Sequence, residues 1–109
     1  DLTPGTTYTY KVETEDGQTM DGHFRTLPEN SNEIRFVVVS DSHRFETATK
    51  VSDVIAQFDP DFILHTGDMV EGTGSQKDQF PYWFQNVGSF LHNVPVIYNS
   101  GNHRTQRSV

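Results

Sequence analysis

An apolar, β-branched run that breaks off into residues able to hold a metal constrains this chain more than any other feature, and it occurs three times. Ile34-Arg35-Phe36-Val37-Val38-Val39-Ser40 runs into Asp41-Ser42-His43. Phe62-Ile63-Leu64-His65 runs into Thr66-Gly67-Asp68, and Val94-Pro95-Val96-Ile97-Tyr98 runs into Asn99-Ser100-Gly101-Asn102-His103. Side chains at i and i+2 of an extended segment point the same way, so Asp41 and His43 are placed to reach one cation together.

Helical patterns separate the three runs. Phe45, Ala48, Val51, Val54, Ile55 and Phe58 recur at three and four, which predicts an amphipathic helix over 45–58. Asp59-Pro60 ends it, because proline disfavours the helical conformation of its predecessor. A second helix is predicted from about Asp78 to Leu91, with Phe80, Trp83, Phe84, Val87 and Leu91 on one stripe and Pro81 in the first turn. Helical spacing explains that aromatic stripe as core, with no need for a base-stacking platform. Alternating strands and helices give an α/β class with a parallel sheet, a βαβαβ unit whose strand over 34–40 is apolar throughout, as a strand covered on both faces would be.

The first 28 residues follow another rule. Tyr8-Thr9-Tyr10-Lys11-Val12-Glu13 alternates in period two, Asp16-Gly17 is a turn dipeptide, and His23-Phe24-Arg25-Thr26 reads as the returning strand. A lone hairpin is marginal in water. L-x-P-G-T-x-Y followed by F-x-T-x-P resembles the end of a fibronectin type III-like β-sandwich, with Tyr8 in place of that fold's corner tyrosine. The expected organisation is therefore a sandwich hairpin over 1–28, a polar linker over 29–32 and an α/β unit over 33–109.

The net charge of −7 argues against a stable nucleic-acid partner, which would call for a basic face. With no cysteine in the chain, any metal must be held by oxygen and imidazole nitrogen, which suits manganese, iron or zinc. No apolar run approaches the ~20 residues of a membrane helix.

In an open parallel sheet, ligands collect at the carboxyl ends of the strands, and all three polar clusters fall there. Asp68, beside the small Gly67, is placed to bridge two cations, with Asp41 and His43 on one side and the amide oxygen of Asn102 on the other. Two divalent ions roughly 3.5–4 Å apart can hold a hydroxide between them and clamp phosphoryl oxygens during attack. His103 is then placed to protonate the leaving alkoxide or to stabilise charge on phosphorus.

Asp41-Ser42-His43, Gly67-Asp68 and Gly101-Asn102-His103, in this order and separated by helices, resemble the first three motifs of the calcineurin-like metallophosphoesterase family. The resemblance covers about Glu33 to Arg104. It implies the first half of a four-layer α/β/β/α sandwich and two-metal hydrolysis of small-molecule or nucleotide phosphomonoesters or diesters. It implies metal-ligand roles for Asp41, His43, Asp68 and Asn102, a catalytic role for His103, and substrate contacts from Asn102 and Arg104. Purple acid phosphatases are similar in layout but carry glycine two after the first aspartate and tyrosine three after the second. His43 and Glu71 stand at those positions here, so the site resembles the phosphodiesterase branch more.

Arg104 replaces the acidic residue that normally follows the family's third motif, and it lowers the proton affinity expected of His103. The family's later histidine and its G-H-x-H motif have no counterpart, so the chain reads as an incomplete catalytic unit, expected to bind metal weakly and to be inactive alone. The paired β-sandwich layout suggests extracellular or periplasmic residence. Read singly, Asp41 is a cap, His43 a loop residue and Gly67-Asp68 an ordinary turn. Their recurrence at the ends of separate strands favours chemistry. His65 reads as a supporting or packing residue and not a ligand, His23 and His92 as surface or β-sandwich histidines, and Gly72-Thr73-Gly74-Ser75 as a flexible loop near the site. The rival reading is a non-catalytic relative or β-sandwich interaction protein, which Arg104 favours.

Overall fold

The computed structural model describes residues 1–30, 32–43, 46–71 and 76–102. The order is β1 (Thr7–Glu13), β2 (Thr19–Arg25), β3 (Phe36–Val39), α1 (Glu46–Phe58), β4 (Phe62–His65), α2 (Gln76–Leu91) and β5 (Val96–Tyr98). β1 and β2 pair antiparallel, with Tyr10 opposite Gly22, while β3, β4 and β5 form a parallel sheet in that order. This is the α/β class expected.

Both helices cover one face of the parallel sheet. The strand order advances in one direction, and right-handed crossovers then place α1 and α2 on the same side. Ile55, Ile63, Val70, Trp83, Val87 and Phe90 form the core beneath them. The opposite face is open in this chain: Phe36, Val38 and Ile97 are at least half exposed, and Phe36 stacks on its β4 partner Phe62 with centroids 5.4 Å apart. Among the described residues β3 is covered on the helix side alone, and its apolar outer face is the one that the second layer of the expected four-layer sandwich would cover.

The helices begin close to where periodicity puts them, but their buried stripes are shifted. On α1 the sheet side carries Ala48, Ser52 and Ile55, while Val51, Val54 and Phe58 are exposed. On α2 the buried apolar positions are Trp83, Val87 and Phe90, joined by the polar Gln79, whereas Phe84 is exposed. α2 also starts earlier than expected, at Gln76, so Pro81 lies beyond the first turn and removes the amide that would bond the Lys77 carbonyl. Small polar contacts join the helices: Thr49 Oγ1 to Asn86 Oδ1 at 3.4 Å and Ser89 Oγ to Asp53 Oδ1 at 2.5 Å.

Specific contacts tie the hairpin to the α/β unit. The Asp61 carboxylate, at the entrance to β4, accepts from the Arg25 guanidinium at 2.8 Å and from the Arg35 amide at 2.9 Å. The missing side chain of Gly22 lets the Tyr10 ring lie across the hairpin, and the Tyr10 hydroxyl donates to the His92 carbonyl at 2.9 Å. Within the hairpin, the Tyr8 hydroxyl accepts from the Thr3 amide at 2.7 Å.

Candidate functional site

The three loops leaving β3, β4 and β5 are laced by their main chains. Thr66 N–H donates to Val39 O at 2.9 Å, and Asp41 N–H to Gly67 O at 3.1 Å. Asn99 N–H donates to His65 O at 2.9 Å, and two longer contacts, His43 N to Asp68 O at 3.4 Å and Asp68 N to Ser100 O at 3.5 Å, continue the pattern. The parallel ladder thus carries on past the strand ends and brings the backbones of Asp41, Asp68 and Ser100 side by side.

Two glycines make this approach possible. A Cβ on Gly67 would stand 2.4 Å from Gly101 Cα, and one on Gly101 would stand 2.2 Å from Asp68 Oδ1. Both have positive φ, 134° and 70°. Asp41 (φ 51°), His43 (φ 40°) and Asp68 (φ 56°) share the left-handed region, at a cost on the order of 1–3 kcal/mol each. Such conformations concentrate where surrounding structure and function impose them. They also correct the expectation that Asp41 and His43 line up through strand alternation. Both residues sit in a tight turn, and that turn sets Asp41 Oδ1 3.8 Å from His43 Nε2.

Around this turn the exposures diverge. The Asp41 side chain is largely exposed and receives a short hydrogen bond from the Ser40 hydroxyl. His43 and Asp68 are buried. Asn102 is exposed, directly after the Gly101 that packs on Asp68. His103 and Arg104 lie outside the described residues. Among the described residues no three His, Cys, Asp or Glu side chains close into a metal-binding group.

Beneath the turn runs a network of residues that sequence reasoning identified only in part. Gly67 N–H donates to His65 Nδ1 at 3.2 Å, His65 Nε2 lies 2.8 Å from Ser42 Oγ, and Trp83 Nε1–H donates to the same oxygen at 2.7 Å. Because Nδ1 accepts, the neutral ring carries its proton on Nε2 and donates to Ser42. Burial holds the His65 pKa below its ordinary value, against the opposing pull of the Asp41 and Asp68 carboxylates. Ser42 and Trp83 had no sequence signal as site residues. Ser42 is the unspecified middle of D-x-H, and Trp83 reads as one more aromatic on a core stripe.

The donors fit a divalent cation in kind. Carboxylate, imidazole and amide oxygen come from loops whose backbones touch, and the lack of a Cβ on Gly101 lets the Asp68 carboxylate lie against the third loop. A family model described as calcineurin-like phosphoesterase matches residues 34–107. Among solved structures, a purple acid phosphatase isolated from yellow lupin (Lupinus luteus) seeds superposes with a TM-score of 0.73 at 24% identity, over 94% of this chain and 22% of that one. PhoD superposes with a TM-score of 0.64 at 19% identity, over 94% of this chain and 25% of that one. The chain thus spans about a quarter of the length of either structure. No curated protein matches it.

Proposed function

We infer from its membership of the calcineurin-like phosphoesterase family, to which this chain belongs over residues 34–107, that it contributes the first part of a metal-dependent phosphoester hydrolase. Phosphoester hydrolysis and a requirement for divalent metal are properties of that family. The proposal for this chain is that Asp41, His43, Asp68 and Asn102 hold two divalent cations, manganese, iron or zinc. When bound, the cations supply the positive charge that an acidic protein lacks and make water acidic enough to attack phosphorus.

The chain's own groups take the remaining roles. Asp68, buried and pressed against Gly101, would be the carboxylate shared by the two cations. Asn102 orients both cation and substrate, His103 donates the proton to the leaving alkoxide, and Arg104 contacts a phosphoryl oxygen. Substrates are small-molecule or nucleotide phosphoesters. The observation that carries this reading is the backbone lacing of the Asp41, Asp68 and Ser100 loops around a glycine pair.

Residues 1–28 are assigned to a fibronectin type III-like hairpin. The Tyr8 hydroxyl on the backbone of Thr3, five residues upstream, supports that assignment. Extracellular or periplasmic residence is proposed from this layout. No helix among the described residues is long and apolar enough to cross a membrane.

The test is hydrolysis of bis-p-nitrophenyl phosphate by the full-length protein with manganese, repeated with Asp68→Ala. Loss of turnover by about a hundredfold or more is expected for a variant missing a ligand shared by both metals. Unchanged turnover would leave the rival, a non-catalytic relative, as the better reading.

A further inference from the structure

We propose that Ser42, His65 and Trp83 form a positioning relay that fixes the Asp41–His43 turn against the Gly67–Asp68 loop. The hydrogen-bond directions follow from donor and acceptor counts. An indole nitrogen only donates, so Trp83 Nε1–H occupies one lone pair of Ser42 Oγ at 2.7 Å. His65 Nδ1 is committed to the Gly67 amide, so His65 Nε2–H occupies the other at 2.8 Å. Ser42 is a double acceptor, and its position is set from two sides by buried rings.

Ser42 is the centre of the turn. Its neighbours Asp41 and His43 both sit at positive φ, a conformation that a free loop would leave. His65 and Trp83 are each less than 5% exposed and face each other edge-on with centroids 6.2 Å apart, so neither ring is free to follow a moving loop. One relay thereby connects the first loop, the amide that precedes Asp68, and helix α2. The importance of this placement for metal binding rests on the phosphoesterase reading. The relay itself does not.

The test uses amide hydrogen exchange and the indole N–H resonance of Trp83 in the full-length protein without added metal, and then calorimetric titration with manganese. Ser42→Ala is expected to shift the indole resonance and to speed exchange of the Asp41 and His43 amides by about tenfold, the factor a net hydrogen bond represents. His65→Gln places an amide N–H near the ring Nε2 and retains slow exchange. His65→Asn places its amide near Nδ1 and behaves like Ser42→Ala. Trp83→Phe keeps the His65–Ser42 half and gives an intermediate acceleration confined to the same amides.

Unchanged exchange in Ser42→Ala, equal behaviour of the His65 Gln and Asn variants, or acceleration spread evenly over the whole chain would overturn the relay. Manganese affinity is expected to fall about tenfold in Ser42→Ala and to recover in His65→Gln as the relay does. If the wild type binds no manganese while the exchange pattern holds, the relay stands and the phosphoesterase reading falls. If manganese binds equally well to all variants, the relay does not position the ligands and the proposal fails.

Discussion

Gly101 lies so close to Asp68 that a Cβ on it would stand 2.2 Å from the carboxylate oxygen Oδ1 and 2.4 Å from the Asp68 amide nitrogen. Gly101→Ala must therefore displace either the third loop or the Asp68 carboxylate. It also pays for φ +70° in a residue with a side chain, roughly 1–2 kcal/mol by itself. Gly17→Ala is the internal control, because φ there is +84° but nothing lies within 4 Å of the added atom. Chemical denaturation should show a loss of about 1 kcal/mol for Gly17→Ala and a distinctly larger one for Gly101→Ala. Equal losses would mean that the glycine contact is not close in solution.

Asp61 predicts an acid-sensitive joint between hairpin and sheet. The Arg35 amide and the Arg25 guanidinium hold its carboxyl below the ordinary value of 3.8, with burial opposing them. A group whose pKa is depressed by folding stabilises the fold fully above its unfolded pKa. That stabilisation is lost as pH falls from about 3.8 through the lower folded value. Asp61→Asn should cost about 1–2 kcal/mol at neutral pH, with the gap to wild type closing below pH 3.8. A pH-independent difference would show that charge has no part in the joint.

Ser52 faces the core with 1% exposure, and among the described residues its hydroxyl has no hydrogen-bond partner. It borders a cavity of about 210 Å³ between the sheet and the helices. Ser52→Ala should be neutral or stabilising by up to about 1 kcal/mol, since a buried hydroxyl is removed with no bond lost. A loss of that size instead would reveal a bridging water in the cavity.

On α2 the shifted stripe gives a paired test. Phe90 is 3% exposed and Phe84 is 55% exposed. Phe90→Ala should cost about 3–5 kcal/mol, and Phe84→Ala well under half of that, since an exposed ring loses little beyond its ring contacts with Trp83 and Phe80. The reverse order would mean that the helix is rotated about its axis.

Element type and order were legible because period and punctuation agree. Phe62–His65 is a strand where its apolar run says so, and Asp59-Pro60 closes α1 at Phe58. What periodicity missed was rotation. Ser52 is buried while Val51 and Val54 are not, and a hydropathy pattern prefers valine to serine. The open sheet face has no signature either, since an apolar strand reads the same whether its second layer comes from near or far in sequence.

At the site, the convergence of the strand ends was visible in the repeat, but its cause was not. Asp41 and His43 approach through left-handed turn geometry, which residue spacing does not encode. Ser42 and Trp83 were invisible because a hydrogen bond between residues 41 positions apart leaves no local pattern.

The role proposed for Asp68 is that of a ligand shared by two cations held between separate loops. Manganese(II) electron paramagnetic resonance of the full-length protein tests it most directly. Two manganese ions bridged by one carboxylate should give an exchange-coupled multiline signal at two equivalents, and Asp68→Ala should abolish the coupling. A single uncoupled manganese in the wild type, or a coupled pair indifferent to Asp68→Ala, would contradict it.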